Sequence, residues 1–312
     1  MSAPAAVLEH RRRLRWVAAL ALVPLLVVVA FSAAWLSSPG VADLQQRVAA
    51  MAAGHGGRAL PLRAIAPVMR RAVVATEDER FYSHAGIDVI GLMRALPYDL
   101  GHLSLAQGGS TITEQLAKLV YLGGNDHNPW AKLRDAAIAL RIEGRWSKEQ
   151  ILADYLDIAY FGGGAFGVQA ASRYYFRVPA SALTLAQASL LAGLVQAPTA
   201  YDPFSDPSGA RTRQLEALRS MVRNGMVSRV AARATLARPL PLARGRGLPA
   251  LPVADVDPGP PFAWPSLALG AAIAALATAA LVRLPLRVPA RIATVLGGIA
   301  GLLIAMASFR GV

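Results

Sequence analysis

Hydrophobic positions along this chain follow two kinds of pattern. Three runs are apolar and free of charge: Trp16 to Leu36, Phe262 to Val282 and Ile292 to Phe309. At about 1.5 Å of rise per helical residue, such runs match a hydrocarbon layer roughly 30 Å thick. Each therefore reads as a membrane-spanning helix, with Ser32-Ala33-Ala34 leaving signal cleavage as a minority option for the first. Between the runs, apolar residues recur at helical spacing. Pro61 to Val74 carries Leu62, Ile65, Val68, Met69 and Val73 on one face, with Arg63, Arg70 and Arg71 elsewhere. Ile87 to Leu105 is amphipathic around a break at Pro97. Further helices are predicted over Trp130 to Arg145, from Ser147 through Leu156, from Thr184 to Val195, over Ser208 to Asn224 and over Ser228 to Ala237.

Punctuation between these elements sets the expected domain organisation. Residues 1–40 form a basic tail and a span, and 41–60 a short helix and flexible tether, because Gly54, Gly56 and Gly57 interrupt it. Residues 61–237 hold the folded domain, 238–261 a Pro-, Arg- and Gly-rich extended linker, and 262–312 a helical hairpin in the membrane. Pairs at capping-box spacing mark helix starts at Thr76 with Glu79, Thr111 with Glu114, Ser147 with Gln150 and Thr184 with Gln187.

Charge gives these segments an orientation. Arg11, Arg12, Arg13 and Arg15 precede the first apolar run and should stay cytoplasmic. Arg283, Arg287 and Arg291 lie in the turn between the last two runs, which should face the same side. The two arguments are independent and both put the domain outside. A formal net charge of +13 favours anionic partners such as nucleic acid, lipid headgroups or diphosphates. Nucleic acid is disfavoured, because the strongest basic clusters flank apolar runs. The absence of cysteine excludes disulfides and thiolate metal sites.

Two stretches do not look like core. Residues 75–86 begin with Glu77, Asp78 and Glu79, carboxylates that repel one another unless water or a cation is near. Residues 107–118 run from a Gly108-Gly109-Ser110-Thr111 turn into a helix, whose free N–H groups suit an anion. Helix capping accounts for Glu79 and Glu114, and an i,i+4 pair for Glu114 with Lys118. Glu77, Asp78, Phe81, Tyr82 and His84 are left over.

At these residues the chain resembles the peptidoglycan glycosyltransferases, glycosyltransferase family 51. Glu77-Asp78-x-x-Phe81-x-x-His84-x-Gly86 is similar to the family's first motif. Gly108-Gly109-Ser110-Thr111-Ile112-Thr113-x-Gln115-Leu116-Ala117-Lys118 is similar to its second. Ile151-Leu152-x-x-Tyr155-Leu156 through Gly164-Ala165-Phe166-Gly167 resembles the fourth, and Leu183 to Leu194 with Ala197-Pro198 the fifth. The likeness covers roughly residues 60 to 235.

The resemblance implies a mainly α, lysozyme-like helical glycosyltransferase domain, here flanked by one N-terminal and two C-terminal transmembrane helices. It implies polymerisation of a polyprenyl-diphosphate-linked disaccharide-peptide into a growing glycan strand, with inversion at the donor, for cell wall biogenesis. The setting would be the outer face of a bacterial inner membrane, with the lipid bilayer and other cell wall synthesis proteins as partners. Part of the amphipathic Ile87–Leu105 face would dip into that bilayer. By the same likeness Glu77 and Asp135 are the catalytic carboxylates. Asp78, Phe81, His84, Ser110, Thr111, Gln115, Lys118, Lys132 and Gly164 would bind substrate. Mg2+ or Mn2+ is a cofactor often used in the family, and Asp135 is the one residue here that would meet it.

The chain departs from the family pattern at named positions. Asp135 stands where a glutamate is usual, and Glu114 where a glutamine is usual. Ala153 or Asp154, and Asp157, replace a usual glutamate and asparagine, and an expected arginine is missing near His127-Asn128. These departures keep two rivals open: a relative that binds the lipid-linked precursor without polymerising it, and a lysozyme-like glycan hydrolase using Glu77 as acid. The lysines have no purpose in the second.

Overall fold

The computed structural model describes residues 26–92, 110–123, 128–245, 247–251 and 256–257. Their helices are α1 (26–37), α2 (Leu44–Gly54), α3 (Pro67–Glu77) and a helical turn α4 (89–92). Then come α5 (Ile112–Tyr121), α6 (Pro129–Glu143), α7 (Lys148–Ile158) and α8 (Val168–Phe176). The described chain closes with α9 (Leu185–Leu194), α10 (Pro207–Arg223) and α11 (Arg229–Leu236). Extended pairing among the described residues is limited to isolated bridges, Tyr160 with Phe166 and Leu240 with Leu248. The domain is mainly helical, as expected.

Helix α9 is the centre of the packing. Ala188, Ser189, Leu190, Leu191, Ala192, Gly193 and Leu194 are all buried, so the helix is covered on every side. It starts at a complete capping box between Thr184 and Gln187. Helices α3 and α10 lie against it. A Cβ at Gly193 would stand 2.6 Å from the Arg213 carbonyl oxygen, so glycine permits the close approach of α10. Met69 and Val73 of α3, Leu116 of α5, Ile138 and Ile142 of α6 and Ile151 and Leu156 of α7 belong to the same core cluster. Each such side chain contributes roughly 1.5–3 kcal/mol relative to an exposed one.

Both segments expected to be loose connections belong to the folded body. Leu44, Val48 and Ala52 of α2 are buried, and α2 packs on α7. Gln45 donates to Asp154 at 2.6 Å, the Leu60 amide donates to Asp157 at 2.8 Å, and Tyr121 donates to Asp43 at 3.0 Å. Residues 41–60 are therefore not a flexible tether. The Pro-rich stretch after 238 is laid along the domain as well. Leu240, Leu248 and Val256 are buried, and the Ala243 amide donates to the Tyr175 carbonyl at 2.7 Å. The enclosed Arg211 guanidinium donates to the carbonyls of Pro249 and Arg238, both at 2.6 Å, holding two turns of this stretch together. Composition marked the segment as extended; buried leucines and one arginine keep it in place.

Helix α1 ends on the domain. Phe31 packs with Ile87, Ala137 and Leu140, and Arg141 lies 4.3 Å from the Trp35 ring centroid while donating to the Trp35 carbonyl at 2.7 Å. Among the described residues no helix is long and apolar enough to cross a membrane. Residues 16–25 of the first apolar run, both C-terminal runs and residues 93–105 of the amphipathic segment lie outside the described residues.

Candidate active site

Helix α3 begins with Pro67 at its first turn, where a missing N–H costs nothing, and ends at Glu77. Thr76 is in its last turn and donates to the Ala72 carbonyl at 2.8 Å, so it does not cap a new helix with Glu79 as its spacing had indicated. The chain then turns through a short 3-10 segment, Phe81–Ser83, pinned by the wholly buried Phe81 ring. Lys148 lies 4.3 Å from that ring's centroid.

Asp78 joins the two motif-bearing stretches. Both of its oxygens lie 2.9 Å from His84 Nε2, and Oδ2 also accepts the Ile112 amide, the first of α5, at 3.0 Å. A second stitch runs from Thr111 Oγ1 to the Gly86 carbonyl at 2.6 Å. Gly86 has φ +92°, and a Cβ there would stand 3.0 Å from the Ala139 backbone, so only glycine suits this crossing. Asp78, Phe81 and Thr111 are buried and the His84 side chain is 4% exposed, so in this structure the polar atoms of Asp78 and Thr111 meet protein partners.

Glu77, the residue before Asp78, ends α3 beside this frame. It is partly buried, and its Oε2 accepts from Gln115 Nε2 at 2.8 Å. The carbonyl oxygen of the same amide accepts from the buried Tyr155 hydroxyl at 2.8 Å. Burial pushes the Glu77 pKa above the ordinary carboxylate value. The Gln115 hydrogen bond and the Arg213 charge pull it back, and the neighbouring Asp78 charge adds a lesser upward push. Sequence named Asp78 as one possible cause; desolvation is the larger one.

Helix α5 also meets α6, and between them the second set assembles. Lys132 Nζ donates to Ser110 Oγ at 2.8 Å and lies 3.2 Å from Glu114 Oε1. The other Glu114 oxygen accepts the Thr111 amide at 2.8 Å, completing the capping box of α5. Glu114 thus pairs with Lys132 on the neighbouring helix. Asp135 is buried, and its Oδ1 has no hydrogen-bond partner among the described residues. Burial raises its pKa to about 6; the charges of Lys132, Lys118 and Arg134 oppose that rise and Glu114 reinforces it. Asn128 starts α6 by accepting the Ala131 amide at 2.7 Å. Gly164 sits in a separate turn with φ +77° and open space where a Cβ would point.

Among the described residues no group of three or more His, Cys, Asp or Glu side chains could hold a metal ion. Asp135, one carboxylate flanked by two lysines, does not by itself form a site for a resident divalent cation. Sequence reasoning placed Tyr155 in the fourth motif without a role at Glu77, and it did not single out Arg213 of α10. Nothing local marks either as a neighbour of Glu77.

Arranged this way, the site offers a carboxylate of raised pKa held by Gln115 of α5 and, where α5 meets α6, a corner that contains lysine and acid. A family model described as Transglycosylase matches residues 45–222. The chain is 38% identical over 226 residues to a Cupriavidus necator protein named as a transglycosylase, covering 71% of this chain and 97% of that one. It is 42% identical over 164 residues to penicillin-binding protein 1A of Mycobacterium tuberculosis, 51% of this chain and 20% of that protein. With penicillin-binding protein 2D of Bacillus subtilis it shares 39% identity over 181 residues, 58% and 26% of the two chains. It therefore spans about a fifth to a quarter of those penicillin-binding proteins. The chain belongs to the transglycosylase family, the peptidoglycan glycosyltransferases of family 51 that its motifs resemble.

Proposed function

We propose that this protein polymerises peptidoglycan glycan strands from a polyprenyl-diphosphate-linked disaccharide-peptide at the outer surface of a bacterial inner membrane. Glu77 removes the proton from the 4-hydroxyl of the incoming sugar as that oxygen attacks the anomeric carbon of the donor. The bond from that carbon to the diphosphate breaks with inversion, and the diphosphate leaves with the electron pair. Lys118 and Lys132 receive its charge, Ser110 and Gln115 donate hydrogen bonds to sugar or phosphate, and Asp135 assists departure. Gly164 leaves room for the substrate in its turn. Any Mg2+ or Mn2+ would enter with the diphosphate, and no step above depends on it.

The observation that carries this reading is the Glu77–Gln115–Tyr155 relay. It keeps a carboxylate of raised pKa in one orientation, which suits a general base. The test is incubation of the detergent-purified chain with the lipid-linked precursor, followed by measurement of glycan length. Polymer from the wild type and none from Glu77→Gln is the expected result. Tight precursor binding without polymer would assign a binding role, which the shortened acid at Asp135 favours as the second reading. Cleavage of preformed glycan would assign a hydrolase.

A further inference from the structure

Glu114 divides its carboxylate between two tasks. Oε2 takes the Thr111 amide at the start of α5, and Oε1 lies 3.2 Å from Lys132 Nζ. A glutamine can perform the first task, since capping boxes accept either residue. Only the second calls for a charge. The Glu114 side chain is 4% exposed and that of Lys132 45%, so the acid is fixed inside while the ammonium reaches solvent. Ser110 takes a further N–H of the same ammonium.

We propose that Glu114 is a resident counter-ion of Lys132, with which an arriving diphosphate must compete for the ammonium. It lowers the affinity of this corner for a diphosphate and hastens release of the polyprenyl diphosphate after transfer. The inference rests on the reading of Lys132 as a diphosphate ligand. Its physical basis is simple: the cap holds Glu114 in place, so the carboxylate cannot withdraw when an anion docks. The arriving charge meets an ammonium already neutralised in part, with a desolvated negative charge behind it. Asp135, also close to Lys132, adds to the same repulsion, while Lys118 and Arg134 oppose it.

The test is equilibrium binding of inorganic pyrophosphate to the full chain in detergent, by calorimetry, for wild type, Glu114→Gln, Lys132→Met and the double variant. Glu114→Gln retains the cap and should bind on the order of tenfold tighter. The gain should vanish in the double variant. Equal or weaker affinity in Glu114→Gln, or a gain that survives loss of Lys132, overturns the proposal. If Glu114→Gln fails to fold, Lys132→Met decides: a loss of about threefold or less from wild type supports a pre-neutralised lysine, and a loss above about tenfold overturns it. Polymerisation by the wild type with no affinity difference defeats this inference alone. No pyrophosphate binding to any of the proteins defeats the diphosphate reading of Lys132 and this inference with it.

Discussion

Gln115 holds Glu77 with one end of its amide and Tyr155 with the other, at 2.8 Å in both cases. Because the Tyr155 hydroxyl occupies the amide oxygen, the NH2 group has to point at the carboxylate. Tyr155 thus sets which way Gln115 faces, and Gln115 offsets part of the upward push that burial gives the Glu77 pKa. Removing the donor, as in Gln115→Leu, should raise that pKa further. A base must be ionised to act, so the acid limb of the kcat profile should move to higher pH. Tyr155→Phe should shift the limb in the same direction by less. A rate loss equal at every pH would mean that Gln115 serves the sugar alone.

Asp78 carries a different prediction, on stability. Its carboxylate is acceptor to both His84 and the first amide of α5, within a buried junction. Asp78→Ala leaves those donors without a partner and should cost about 2–3 kcal/mol in chemical denaturation. Activity should fall with it, because Ser110 and Gln115 depend on where α5 begins. A variant as stable as wild type would place Asp78 in substrate binding after all.

How far these contacts could be foreseen depended on how local they are. The caps at Thr111, Ser147 and Thr184 were legible because each is a contact within one helical turn. Thr76 with Glu79 had the same spacing and failed, because α3 simply continues through Thr76. Glu114 shows the limit most clearly. Its sequence neighbour at helical spacing is Lys118, yet the ion pair goes to Lys132 from the adjoining helix. The same holds for residues 41–60 and the Pro-rich stretch, where glycine and proline suggested freedom. Gln45, Leu60 and Ala243 find partners far along the chain, which no window of sequence contains.

The α2–α7 junction should make stability depend on pH. Burial raises the pKa of both Asp154 and Asp157 to about 7, with the Asp157 charge adding to the rise at Asp154. Between about pH 4 and pH 7 the folded chain therefore holds protons that the unfolded chain has released. Stability should fall as pH rises through that window and level off above it. Asp157→Asn keeps an acceptor for the Leu60 amide and removes the ionisation. It should raise stability at pH 8 by about 1–2 kcal/mol and leave pH 4 unchanged. Thermal denaturation at the two pH values checks this, and equal shifts at both would refute it.

Asp135 tests whether the chain has adapted to a shorter acid. Its Oδ1, unpartnered among the described residues, lies in a buried corner with Lys132 and Lys118, the place from which a leaving diphosphate would be assisted. Asp135→Asn removes the charge and should cost on the order of a hundredfold in kcat. Asp135→Glu carries the carboxylate over 1 Å further, about one methylene, into a corner packed for aspartate. Overpacking should lower stability by about 1 kcal/mol, while the longer reach should raise kcat several-fold. Both are read from polymerisation rates at saturating precursor and from denaturation of the same samples. If Asp135→Glu instead slows the enzyme while folding normally, the surrounding lysines have already moved to meet the shorter side chain. The departure from glutamate would then be matched by its neighbours, and the polymerase would not be short of an acid.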